Sequence, residues 1–142
     1  MSQQDNIEAA RANFEAISKQ DKDLWDQIHA PDYLGEEPGV PEPMNVEQHW
    51  MFLVGMTTAF PDSQFEFTRT IATGDYVVVH WTATGTHNGP LPTPTGDSIP
   101  ATGKKVVLKG SSTFELRDGK LTREWGFFDN ASILAQLGLM PG

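Results

Sequence analysis

Gly74-Asp75-Tyr76-Val77-Val78-Val79-His80-Trp81-Thr82-Ala83-Thr84-Gly85-Thr86-His87 is the stretch that decides the fold. It opens on a Thr73-Gly74-Asp75 hairpin signal and continues in β-branched and aromatic residues. Successive strand residues point to opposite faces, so Val79, Trp81, Ala83 and His87 share one face. Val78, His80, Thr82 and Thr84 share the other. Working outward, Phe65 and Phe67 alternate with polar neighbours from Ser63 on. Lys104 to Leu116 is strand-like again, and Asp118-Gly119 turns into Leu121–Phe128. Asn88–Gly103, with four prolines and three glycines, is too broken to extend a sheet and predicts a mobile rim over its mouth.

Upstream the period changes to that of a helix. Asp5-Asn6-Ile7-Glu8 reads as a capping box, followed by Ile7, Ala10, Phe14 and Ile17 on one face. A short second helix starts at Asp21 and stops before Pro31. Asp32 to Met44 holds three prolines and two glycines and reads as a loop, with Glu36, Glu37 and Glu42 in solvent. Asn45-Val46-Glu47-Gln48 is a further capping box. The helix behind it is apolar nearly all round, which predicts burial on more than one side. A last helix, Ala131 to Leu137, ends at Gly138. Segregated helices and hairpin strands predict an α+β fold, one domain over residues 1–142. In it a cone-shaped, curved antiparallel sheet wraps the N-terminal helices.

Composition narrows the partners. Ten Lys and Arg against 19 Asp and Glu leave a net charge of −9 across 142 residues. Such a surface repels phosphate backbones and anionic lipid heads, so neither nucleic acid nor membrane is expected. There is no cysteine, hence no disulfide and no thiolate chemistry. The polar start, Met1-Ser2-Gln3-Gln4-Asp5, lacks a signal-peptide pattern, and a cytoplasmic protein is expected.

Several segments together resemble the SnoaL-like polyketide cyclases (ester cyclases) of the nuclear-transport-factor-2-like (NTF2-like) superfamily. They are Ala30-Pro31-Asp32-Tyr33, Ala59-Phe60-Pro61-Asp62, the Gly74–His87 stretch, Phe114 to Lys120, Glu124-Trp125 and Gln136-Leu137-Gly138-Leu139. The resemblance implies the cone-shaped fold, a homodimer, and a cofactor-free intramolecular aldol ring closure on a polyketide-like substrate. In many such proteins an Asp directly follows the Trp of the Glu-Trp pair; here that place is Gly126.

Candidate residues follow from parity and chemistry. If Trp125, Phe127 and Asp129 share an inner face, Asp129 is a partly desolvated base; it also stands where a helix cap belongs. His87 is a candidate proton shuttle at the mouth. Tyr33, His49, Trp50, Leu53, Trp81, Trp125 and Phe127 are candidates for contact with a bulky apolar carbonyl compound. His29, ending the second helix, suits the helix dipole as an imidazolium. Two hairpin registers are open: a two-residue loop pairs Ser112 with Trp125, and a bulged three-residue loop pairs Gly110 with Gly126. Metal and nucleotide motifs are absent from the sequence, so no cofactor is expected. An isomerase, an epoxide hydrolase with Arg69 between two carboxylates (Arg123 lies about 20 Å along its strand from Asp129), and a non-catalytic ligand-binding domain are the alternative functions.

Overall fold

A computed structural model describes residues 2–93 and 96–140. Helix α1 (Gln3–Lys19) is capped three residues earlier than its sequence suggests. Ser2 Oγ accepts from the Asp5 amide, and the Asp5 carboxylate accepts from the Ser2 N–H, so Asp5 closes the box instead of opening it. Helix α2 (Lys22–Ile28) is capped by Asp21 and helix α3 (Val46–Ala59) by the Asn45–Gln48 box, both as the spacing implies.

Between α2 and α3 the chain forms strand β1 (His29–Glu36), where a loop was expected. β1 is the edge of a five-stranded sheet ordered β1-β7-β6-β3-β2, with β2 at Gln64–Thr73, β3 at Tyr76–Thr86, β6 at Lys105–Arg117 and β7 at Lys120–Phe128. An edge strand tolerates the missing N–H of Pro31. β1 runs parallel to β7, so the sheet is mixed, whereas its other pairings are antiparallel. The α+β fold, with N-terminal helices against a curved sheet, is otherwise the expected one.

The register of β6 on β7 follows neither expected alternative. Arg117 pairs with Lys120 across a two-residue turn in which Asp118 and Gly119 both have positive φ, 53° and 78°. Past the turn the pairing shifts from Leu116–Leu121 to Glu115–Arg123, so one extra residue, Thr122, bulges out of β7. Beyond it Thr113 faces Trp125 and Ser112 faces Gly126. This bulge turns Glu124, Gly126 and Phe128 inward and Trp125 and Phe127 outward.

The sheet closes on α1 through Phe14, whose ring lies 5.3, 5.1 and 6.0 Å from those of Phe65, Phe67 and Phe114. A second cluster packs Trp25 and Trp50 against Ala16 and Ile17. Helix α3 is less enclosed than its composition suggests: Met51 is 64% exposed and Phe52, Leu53 and Met56 are half-buried. The Asn88–Gly103 segment contains a two-stranded ribbon, β4 (Leu91–Pro92) and β5 (Ser98–Ile99). Leu91 is buried, and a Cβ on Gly55 of α3 would touch Pro92. The ribbon therefore clasps α3; residues 94–95 lie outside the described ones. Helix α4 (Asn130–Gln136) is tied to β6 by the Gln136 amide, which bonds both the N–H and the C=O of Val107 at 2.8 Å. No helix among the described residues is long and apolar enough to cross a membrane.

Candidate active site

Inside the sheet a cavity with about 110 Å³ of free space lies between α1, α3, α4 and the strands. Its wall is apolar: Phe14 and Ile17 from α1, Phe52, Leu53 and Met56 from α3, and Trp81, Leu108, Phe128 and Ile133 opposite. Two acidic residues, Glu37 and Glu124, interrupt that wall. Their side chains are buried; Glu37 is 7% exposed and Glu124 3%.

Each carboxyl arrives by a local feature. Glu124 points inward because of the Thr122 bulge. Glu37 follows the last residue of β1 and opens the turn Glu37-Pro38-Gly39-Val40, closed by the Val40 N–H on the Glu37 carbonyl at 3.2 Å, with Gly39 at φ +84°. Asn130, the first residue of α4, donates to the Pro38 carbonyl at 3.1 Å and holds that turn against the helix.

The two carboxyls are joined through Tyr33 and His49. Oε1 of Glu37 is 2.9 Å from Nε2 of His49, Nδ1 of His49 is 2.7 Å from the Tyr33 hydroxyl, and that hydroxyl donates to Oε1 of Glu124 at 3.2 Å. Trp25 covers the group from behind, 5.7 Å from the His49 ring and 6.4 Å from the Tyr33 ring. Two glycines make room for it. A Cβ on Gly35 would collide with Nδ1 of His49, and one on Gly126 would lie 2.9 Å from Oε2 of Glu37. The Glu37 carboxyl thus fills the space beside the Gly126 backbone.

Burial sets the protonation of the cluster. Desolvation pushes Glu37 up to about 8 and Glu124 up to about 7, the latter helped by the neighbouring Glu37 carboxyl. Desolvation also raises the Tyr33 phenol and lowers His49. Among the described residues no arginine neutralises the pair: Arg123 bonds Glu36 at 2.7 Å with its guanidinium over Trp125, and Arg69 is exposed on β2. One ligand atom each from Glu37, His49 and Glu124 lie within 4.8 Å of one another. Both ring nitrogens of His49 are engaged, however, so a cation would have to displace either Tyr33 or Glu37 from the ring. We read the group as an acid–base cluster.

The residues expected from sequence divide sharply. Leu53 and Trp81 line the cavity, and Tyr33 and His49 stand behind its acidic wall. Trp50 packs away from it against Trp25. Trp125 and Phe127 are on the outer face, Phe127 61% exposed, because the bulge reverses the assumed phase. Asp129 is exposed and caps α4, its Oδ1 accepting from the Ser132 amide at 3.2 Å. His87 is buried, bonded through Nδ1 to Thr102 and set against Phe60, outside the cavity lining. His29 does cap α2, but burial lowers it to about 4, so it is neutral there. The prolines around Glu37 signal a solvated loop, and Glu124 stands out in the sequence only within the Glu124-Trp125 pair. The signal for Glu124 was its spacing from Trp125, usable only with the bulge known.

Residues 7–137 match the sequence pattern of SnoaL-like polyketide cyclases. The chain belongs to that family. Among solved structures it resembles IdmH from Streptomyces antibioticus, a proposed polyketide cyclase, with a TM-score of 0.81 and 26% identity over 94% of this chain and 98% of that one. A proposed polyketide cyclase from Acidithiobacillus ferrooxidans superposes with a TM-score of 0.78 and 27% identity, covering 94% of each chain. A SnoaL-like protein from Jannaschia sp. CCS1 shares the fold, with a TM-score of 0.85, 23% identity and coverage of 98% and 95%. The sequence matches no curated protein. SnoaL-like proteins have an NTF2-like fold, and this chain has it.

Proposed function

We propose that this SnoaL-like protein is an acid–base enzyme acting on a small apolar carbonyl compound, with Glu37 and Glu124 as the reacting pair. One observation carries the reading: two buried carboxyls face an apolar cavity with no arginine between them. Such carboxyls share protons near neutral pH, so one is an acid while the other is a base. Neither Asp129 nor His87 faces the cavity, and neither has a part in this mechanism.

The chemistry suits an aldol ring closure of the kind the family is named for. A carboxylate removes a proton from the carbon beside a carbonyl, and the C–H electrons become the enolate. The enolate carbon attacks a second carbonyl, and the other carboxyl gives its proton to the oxygen that gains the charge. One proton is lost at carbon and one gained at oxygen. A positioned base or acid contributes about 10²–10⁴-fold. The free space, smaller than a benzene-binding cavity of about 150 Å³, suits the reacting end of a substrate, with half-buried Phe52, Leu53 and Met56 yielding to the remainder.

The test is a thermal-shift series with cyclohexanone, tetralone and their ester and carboxylate analogues. Neutral ketones and esters should raise the melting temperature, and carboxylate anions should not, since the wall is itself acidic. Stabilisation by the anions alone would contradict the assignment.

A further inference from the structure

We propose that Glu37, His49, Tyr33 and Glu124 form a single proton relay, both of whose ends open on the cavity. The inference rests on the acid–base reading above and adds to it how the two roles are set. The direction of the relay is set at its Glu124 end. Ser112 Oγ accepts from Trp81 Nε1 at 3.1 Å, so its hydrogen is free for Glu124, and Tyr33 also donates to Glu124. With Tyr33 donating to it at 3.2 Å and the neighbouring Ser112 hydroxyl favouring its charged form, Glu124 is the carboxylate end.

Tyr33 has one hydrogen, and it is spent on Glu124. At 2.7 Å its oxygen must then accept from His49, which places the histidine proton on Nδ1. A neutral imidazole with Nδ1–H has a bare Nε2. Across 2.9 Å that nitrogen needs a donor, and Glu37 supplies it only as the protonated acid. The resting arrangement is thus Glu37–OH to Nε2, Nδ1–H to the Tyr33 oxygen, and Tyr33 O–H to the Glu124 carboxylate. Shifting three protons one place each along these bonds leaves Glu37 as the carboxylate, His49 with its proton on Nε2, and Glu124 as the acid. Net, one proton moves from Glu37 to Glu124, no side chain moves, and the acid and base exchange roles. His29, the remaining titratable ring packed on Tyr33 at 4.4 Å, bonds the Trp25 carbonyl and Asn13 and stands outside the chain of transfer.

The test needs the protein alone. In ¹⁵N-histidine spectra at neutral pH, His49 should carry its proton on Nδ1, the less common tautomer. Tyr33→Phe keeps the ring and removes the link. His49 should then move its proton to Nε2, and the ¹³C-carboxyl titration of Glu37, two hydrogen bonds from the deleted hydroxyl, should shift to lower pH. A structural hydroxyl would leave both readouts unchanged. The relay is overturned if wild-type His49 is protonated on Nε2 alone, or if Glu37 titrates identically in Tyr33→Phe. The wild-type tautomer decides even if the variant fails to fold. Loss of the relay with carbonyl binding intact would leave the proposed function standing; an intact relay without carbonyl binding would overturn only that function.

Discussion

The carboxyl of Glu37 occupies the space that a side chain on Gly126 would need, its Oε2 lying 2.9 Å from the position of a Cβ there. Gly126→Ala should therefore destabilise the protein by about 1–3 kcal/mol, the usual cost of overpacking. In a Glu37→Ala background the same change should be nearly free. A double-mutant cycle of melting free energies should give a coupling of about 0.5–3 kcal/mol, and additive effects would show that the two residues do not compete for one space.

The stability contributed by Glu37 and Glu124 should fall as pH rises from about 4.5 to about 8, partly offset by His29 below about 6.5. Glu37 and Glu124 bind protons more tightly folded than unfolded, about 8 and about 7 against an ordinary 4.5. Above the ordinary value the unfolded chain has released protons that the native state keeps, so the slope with pH is negative until the folded values are passed. His29, lowered to about 4 from 6.5, acts oppositely: it costs stability as pH drops from about 6.5 to about 4. Melting curves from pH 4 to 9 should show a maximum in the weakly acid range, and Glu37→Gln should flatten the alkaline limb. A limb unchanged in Glu37→Gln would contradict its buried, protonated state.

Asp129 acts through the helix it caps. Asp129→Asn should leave stability and any turnover unchanged, since Asn caps as well as Asp. Asp129→Ala should cost about 1 kcal/mol. Loss of turnover in a fully folded Asp129→Asn would return this residue to the chemistry.

The outer face of the sheet is the expected homodimer contact. Ile71, Val78, Trp125 and Phe127 lie on it, Ile71 50% and Phe127 61% exposed. Light scattering should give twice 15.7 kDa, and Phe127→Glu should halve that mass. A monomeric wild type at micromolar concentration would contradict the expectation.

The helices and long strands were legible in the sequence because their signals are local: the Asn45–Gln48 box, the Phe65–Phe67 alternation, the Asp118-Gly119 turn. The active-site residues were not, for two non-local reasons. One bulged residue, Thr122, reverses the faces of β7, exchanging Glu124 for Trp125 at the cavity wall; nothing in the β7 sequence marks it. Glu37 sits in a stretch whose prolines signal a loop, yet β1 pairs with a strand some 90 residues away and carries Glu37 inward. Tyr33 and His49 were found by chemistry, but their partners could come only from the tertiary fold.

Proton exchange between Glu37, Glu124 and a bound carbonyl compound is measured by α-hydrogen exchange. Tetralone in deuterated buffer is followed by NMR with wild type, Glu37→Gln and Glu124→Gln. Wild type should accelerate exchange, and each variant should lose about 10²–10⁴-fold of that acceleration while keeping its fold. Equal exchange in all three proteins, or ketone binding without any exchange, would contradict it.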